Sequence, residues 1–195
     1  MLLGVLTVFI MLIVTYAFWQ EGLLTAFTMT CNVFVAGLVA FNFWEPIAAE
    51  LDPLFADTPL HGYEDCLCLM VLFSITLGLL RLATNNLANR MLEYNPILQQ
   101  GGSALCGLTC GYLTAGFLLC VLQTMPFNRN FMGFEAKVNP EASGAAFRHV
   151  LPPDRVWLAL MHRASLASLW EEDSPAFDAD GSFEERYQRY RREGD

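Results

Sequence analysis

The chain has 195 residues, of which 54% are hydrophobic and only 16% are charged, whereas typical soluble domains contain roughly 25% charged residues. No Asp, Glu, Lys or Arg precedes Glu21, and none lies between Gly22 and Trp44. These values exclude a disordered chain, a disulfide-linked secreted module and an ordinary soluble enzyme, and they indicate an integral membrane protein with a polar tail. The net charge of −9 argues against nucleic acid as a partner, because phosphate backbones attract clustered Lys and Arg.

Four apolar segments are long enough, or nearly long enough, to cross a bilayer. A helix rises about 1.5 Å per residue, so roughly 20 apolar residues span a hydrocarbon core of about 30 Å. The segments cover about residues 2–19, 22–44, 66–83 and 101–125. They predict an all-α integral membrane protein with four transmembrane helices in a compact bundle over residues 1–128. The first segment lacks the basic start and the small-residue cleavage site of a signal peptide, so we expect it to be a span.

The second segment carries a stripe of small and polar residues at helical spacing. Its members are Thr25, Thr28, Asn32, Ala36 and Ala40. A buried Asn32 amide needs an interhelical hydrogen bond, worth about 1 kcal/mol. We interpret the stripe as a packing seam, with a path for water or a solute as the alternative. The predicted spans contain essentially no Asp, Glu, Lys or Arg at membrane depth, because Arg81 lies near enough to a helix end to reach the interface. The chain alone therefore lacks the relay that a proton-coupled transporter needs.

The chain between the second and third segments, residues 45–65, carries six acidic and no basic side chains. We expect a loop here, because Pro46 and Pro53 would end or bend any helix. Lys and Arg near span ends favour the cytoplasmic side. Arg81 and Arg90 lie on one side of the predicted bundle, and Arg129 and Lys137 lie on the other. Charge alone therefore does not orient the chain.

The fourth segment has the clearest packing pattern. Small residues recur at every fourth position: Ser103, Gly107, Gly111 and Ala115. Such a repeat lets helix backbones approach closely where lipid provides no hydrophobic driving force. We predict that this seam packs against another helix, either within the chain or in a second copy.

We predict no catalytic residue, no cofactor and no metal site. All six Cys lie in apolar segments, where Cys acts as a small packing residue. His61 with Cys66 and Cys68 is the best metal candidate, but it lacks the ligand spacing of a zinc site. Ser103 follows two glycines, yet it lacks the closing Gly of a GxSxG nucleophile motif.

The polar tail, residues 129–195, contains 12 of the 20 acidic and 9 of the 11 basic residues. Its first helix is predicted over about 153–170, because Pro153 and Asp154 suit a helix start. One apolar face of that helix carries Trp157, Leu160, Met161 and Ala164. We expect this face to lie in the membrane interface, with packing on the loops or on a partner as the alternative. A short charged terminal helix is predicted over about 182–193 from a capping-box spacing.

The first 125 residues or so resemble the colicin V production (CvpA) family of four-span bacterial inner-membrane proteins. The resemblance consists of a tight first hairpin that turns at Gly22, a third span that reads LMVLFSITLGLL, and a fourth with Gly107 and Gly111 within SALCGLTCG. The family commonly has Arg where this chain has Glu21, and Arg near Gln99 and Gln100. The tail has no counterpart in the family.

This resemblance implies a non-enzymatic accessory protein of the bacterial inner membrane, linked to toxin production or export or to envelope homeostasis. Its partners would be membrane lipids and other membrane proteins, or further copies of itself. Similar domains precede extracytoplasmic proteases, which places the tail outside the cytoplasm. An oligomeric channel or solute facilitator is the alternative function, and its lack of intramembrane charge predicts poor ion selectivity.

Overall fold

The computed structural model describes residues 2–55, 63–88, 96–125, 153–165 and 183. Every regular element in these described residues is a helix: α1 (Leu2–Glu21), α2 (Leu23–Phe55), α3 (Glu64–Ala88), α4 (Pro96–Thr124) and α5 (Pro153–Ser165). Three stretches are long and apolar enough to cross a membrane: Leu23–Pro53, Glu64–Asn85 and Gln99–Thr124. The described apolar part of α1, Val5–Glu21, is shorter. The fold is therefore all-helical over the described ranges, with three long apolar helices that are consistent with a multi-pass membrane protein.

A single residue separates α1 from α2. Gly22 has a φ of +97°, a left-handed conformation that costs glycine little because it has no Cβ. Its amide donates to the carbonyl oxygen of Phe18 at 3.3 Å, and its own carbonyl accepts from the amide of Ala26 at 3.1 Å. The two helices thus turn back on each other at the glycine that the sequence indicated.

The centre of the bundle is formed by α2 and α4. These helices run parallel, with the Thr30 hydroxyl 3.2 Å from the carbonyl oxygen of Cys106. On the outside, α1 packs mainly on α4 and α3 packs mainly on α2. As a result, 56% of the apolar stretch of α4 is buried but only 22% of that of α3. The outer helices expose large apolar side chains, including Phe9 and Leu12 on α1 and Ile75 and Leu79 on α3.

The bundle has two different ends. The hairpin end contains Gly22, the end of α3 and the start of α4, since Gly22 lies beside Gln99 and Glu21 lies beside Arg81. The tail end contains the end of α4 together with α5, because the Asp154 carboxylate accepts a hydrogen bond from Gln123.

Residues 45–55 correct one of our expectations. We predicted a loop from Glu45, but α2 continues through Pro46 and Pro53 to Phe55. A proline inside a helix removes one backbone hydrogen bond and crowds the preceding turn. Here Trp44 and Ala48, one turn apart on either side of Pro46, are both buried in the bundle. Their packing holds the helical conformation through the proline.

The tail begins its helix where we predicted, at Pro153, and the described part of α5 ends at Ser165. The remainder of the predicted 153–170 helix lies outside the described residues. The same is true of the predicted terminal helix, 182–193, apart from Phe183. That residue is fully buried, with its ring centroid 6.0 Å from Phe41 and 6.3 Å from Trp44.

Candidate functional site

A polar cleft lies at the hairpin end, where three helices meet. It is lined by Phe18 and Glu21 of α1, by Thr25, Thr28, Met29 and Asn32 of α2, and by Arg81, Thr84 and Asn85 of α3. The recess of this open cleft has a volume of about 10 Å³, which is room for about one water molecule. The three polar residues that we singled out in the second segment therefore share one cleft with the Arg that we placed near a helix end.

Asn32 forms the inner wall of the cleft and is only 5% exposed. Its Nδ2 donates to the Thr84 hydroxyl at 2.8 Å, and that hydroxyl donates to the carbonyl oxygen of Leu80 at 2.8 Å. The side chain of Asn32 thus makes an interhelical hydrogen bond, as we expected for a buried amide in the second segment. The Thr28 hydroxyl is used within α2, on the carbonyl oxygens of Leu24 and Thr25.

The stripe of the second segment divides into two parts. Its Thr25–Asn32 portion lines the cleft, whereas Ala36 and Ala40, deeper in the bundle, are fully buried. The Thr25–Asn32 portion therefore forms a polar recess, whereas Ala36 and Ala40 are packed against other helices. Within a single chain, the polar lining does not continue along the stripe past Ala36.

Two charges of opposite sign stand at the mouth of the cleft. Arg81 Nη2 lies 4.0 Å from Glu21 Oε1, and the two side chains are 56% and 42% exposed. An exposed pair at this distance contributes little stability. Sequence reasoning missed this pairing, because the partners lie on different helices and no local pattern connects them.

The small-residue seam of α4 lies against α1 of the same chain. The Ser103 hydroxyl donates to the carbonyl oxygen of Phe18. A Cβ on Gly107 would lie 3.1 Å from Cα of Thr15, and one on Gly111 would lie 2.9 Å from Cα of Met11. Real Cβ atoms essentially never approach a backbone atom as closely as the second distance. Ala115 completes the seam and is fully buried.

A second close contact, which we call the Trp157 slot, joins α5 to the central helices. The Trp157 indole is fully buried and occupies the space that a Cβ on Gly37 would need. On the other side of the slot, a Cβ on Gly116 would lie 2.5 Å from the carbonyl oxygen of Pro153 and 3.1 Å from Cβ of Trp157. Gly37 on α2 thus makes room for the indole ring, and Gly116 on α4 makes room for the backbone at the start of α5.

The Trp157 slot corrects the interfacial position that we expected for the apolar face of α5. Trp157 and Met161 are buried, and Leu160 and Ala164 are partly buried. The face is turned into the bundle because the Phe41 and Phe117 rings complete an aromatic cluster with the indole, at centroid distances of 6.3 Å and 5.9 Å. Neither Gly37 nor Gly116 belongs to a repeat in the sequence, so no local signal indicated them.

The cysteines offer no assembled site in the part of the chain that the structure describes. All six are free thiols, and Cys66, Cys68, Cys110 and Cys120 are buried. Within these ranges no three His, Cys, Asp or Glu side chains come together as they would around a metal ion. His61, from the one metal candidate that we considered, lies outside the described residues.

Comparisons with protein-family models, with curated proteins and with solved structures found no match for this chain. Its class therefore follows from its own architecture. Three long apolar helices and outer faces covered with exposed apolar side chains are consistent with a multi-pass membrane protein, since patches of this kind are rare on soluble monomers.

Proposed function

We propose that this chain is a non-enzymatic accessory protein of the bacterial inner membrane, which positions its polar tail for binding to other membrane proteins. In this proposal α1 is a fourth span beside α2, α3 and α4, as in the colicin V production family that the sequence resembles. The process served is toxin production or export, or envelope homeostasis, and the tail lies on the extracytoplasmic side.

The observation that carries the proposal is the docking of α5 in the Trp157 slot. A tail that only followed the last span would require no shaped receptor, yet Gly37 and Gly116 leave room for the indole and the Pro153 backbone. At the same place, Gln123 Nε2 donates to the buried Asp154 carboxylate at 2.9 Å. The tail is therefore built onto the central helices, which supports a role in presenting it in a defined position.

The test uses the single lysine of the sequence, Lys137. Cells with a permeabilised outer membrane are treated with a membrane-impermeant amine crosslinker, and the tagged chain is purified. We expect one reproducible crosslink to a different membrane protein, weakened in Trp157→Ala and retained in Arg163→Ala, whose side chain is exposed. Lys137→Arg distinguishes crosslinks of the tail from those of the N-terminal amine.

Two results would contradict this proposal. Crosslinking that requires a broken inner membrane would place the tail on the cytoplasmic side. Crosslinks between copies of the chain alone would instead favour an oligomeric channel or solute facilitator, the second candidate, which the polar cleft supports. Solute flux into liposomes that contain the purified protein would then be the next measurement.

A further inference from the structure

The polar cleft is open on the outer side of the bundle. α2 forms its floor, and its walls come from α1 and α3, which have almost no contact with each other. The neighbouring Tyr16 and Trp19 of α1 are both exposed, and such aromatic side chains are typical of the headgroup level of a bilayer. The cleft therefore lies where a lipid headgroup can reach it.

The side chains of Arg81 and Glu21, at the mouth of the cleft, lie close together but do not use all of their hydrogen-bonding groups on each other. At roughly 1.5 Å per residue, Arg81 lies about 10 Å before Ala88, the last residue of α3, and its long side chain, 56% exposed, can extend from there to the headgroup level. Its distance of 4.0 Å from Glu21 is longer than the roughly 2.7–2.9 Å of a direct charge-assisted hydrogen bond. An additional anion and cation can thus be accommodated at the rim.

The inner wall adds acceptors. Asn32 uses its Nδ2 on Thr84, and its side-chain oxygen, Oδ1, accepts no hydrogen bond from the residues that the structure describes. The Thr28 hydroxyl donates to a carbonyl oxygen of its own helix, so its oxygen can still accept a hydrogen bond, whereas the Thr84 hydroxyl already accepts from Asn32. The cleft thus presents one guanidinium beside several oxygen acceptors.

We propose that this cleft binds a phosphoethanolamine headgroup of a membrane phospholipid. The phosphate would pair with the Arg81 guanidinium, and the primary ammonium would donate to the Glu21 carboxylate, with water filling the recess in front of Asn32. A phosphocholine headgroup has no N–H to donate to these acceptors, and a phosphoglycerol headgroup has no cation for Glu21. The cleft therefore selects a headgroup that carries both a phosphate and a primary ammonium.

The test is native mass spectrometry of the full chain, purified in mild detergent and given phosphatidylethanolamine, phosphatidylcholine or phosphatidylglycerol. We expect the ethanolamine lipid to be retained about tenfold more strongly than the other two, as one lost charged hydrogen bond implies. Glu21→Gln and Arg81→Gln should each remove this preference. Glu50→Gln, at an exposed carboxylate of α2 toward the tail end, should retain it.

Free phosphoethanolamine distinguishes a lipid from a soluble ligand. Displacement of the bound lipid only at a large excess supports the lipid, whereas displacement at equal concentration would overturn the lipid as the source. Retention that is unchanged in Glu21→Gln and Arg81→Gln would overturn the site itself. The thermal stability of both variants in phosphatidylcholine shows that they are folded and keeps that result interpretable.

Discussion

The two ends of the bundle use the same central helices in different ways. At the hairpin end, polar side chains of α2 line a cleft, and Asn32 joins α2 to α3 through its hydrogen bond to Thr84. At the tail end, α2 and α4 meet through aromatic rings, and the space between them is filled by α5. One end is thus recessed and exposed, whereas the other is closed by the chain's own tail.

This difference has an energetic consequence. Inside lipid, helices gain little from the hydrophobic effect and depend on packing and hydrogen bonds. The tail segment contains most of the charged residues of the chain, so α5 brings its apolar face from water, and burial of Trp157 gains the full hydrophobic contribution. We therefore expect substitutions at the tail end to cost more free energy than those at the hairpin end.

The largest effect should come from Trp157→Ala. Removing the ring leaves a cavity between Gly37 and Gly116, and we expect a loss of about 3–5 kcal/mol in the free energy of unfolding, with release of α5. Protease sensitivity of the tail and unfolding in mild detergent measure both effects. Arg163→Ala, on the exposed side of α5, should change stability by less than about 0.5 kcal/mol. A tail equally protected in Trp157→Ala would show that other contacts hold α5.

A smaller loss is expected from Gly111→Leu in the α1 seam. Because a Cβ there would already meet the Met11 backbone, α1 must move outward, at a cost of about 1–3 kcal/mol. Gly78→Leu is the matched control, since nothing lies within 4 Å of its position in α3. Unfolding of both variants under the same conditions gives the comparison. If Gly78→Leu lost as much stability as Gly111→Leu, the close approach of α1 would not explain the loss.

The features that the sequence indicated are local ones. The turn at Gly22, the spacing of Ser103, Gly107 and Gly111, and the helix start at Pro153 each depend on residues within a few turns of one another. The sequence did not indicate which helix would lie against the seam, because small residues permit a close approach without specifying a partner.

The features that the sequence did not indicate depend on residues that are far apart along the chain. The Trp157 slot needs Gly37 and Gly116 on different helices, and the cleft mouth needs Glu21 and Arg81. The continuation of α2 through Pro46 belongs to the same group, since it depends on tertiary burial of Trp44 and Ala48. Local propensity is overridden in each case by contacts that exist only after the helices have packed.

The smallest effect should be at the hairpin end, in the Asn32–Thr84 pair. A double-mutant cycle of Asn32→Leu and Thr84→Val, measured by unfolding in mild detergent, should give a coupling energy of about 0.6–1 kcal/mol, as interhelical hydrogen bonds in membranes do. Thr109→Val is the matched control, because that hydroxyl bonds only to Leu105 of its own helix, and its coupling with Asn32→Leu should be near zero. A coupling energy as large as the loss in Trp157→Ala would remove the expected difference between the two ends. It would mean that the cleft is held as firmly as the slot, and that lipid does not weaken the polar contacts of α2 and α3 relative to the aromatic contacts of α5.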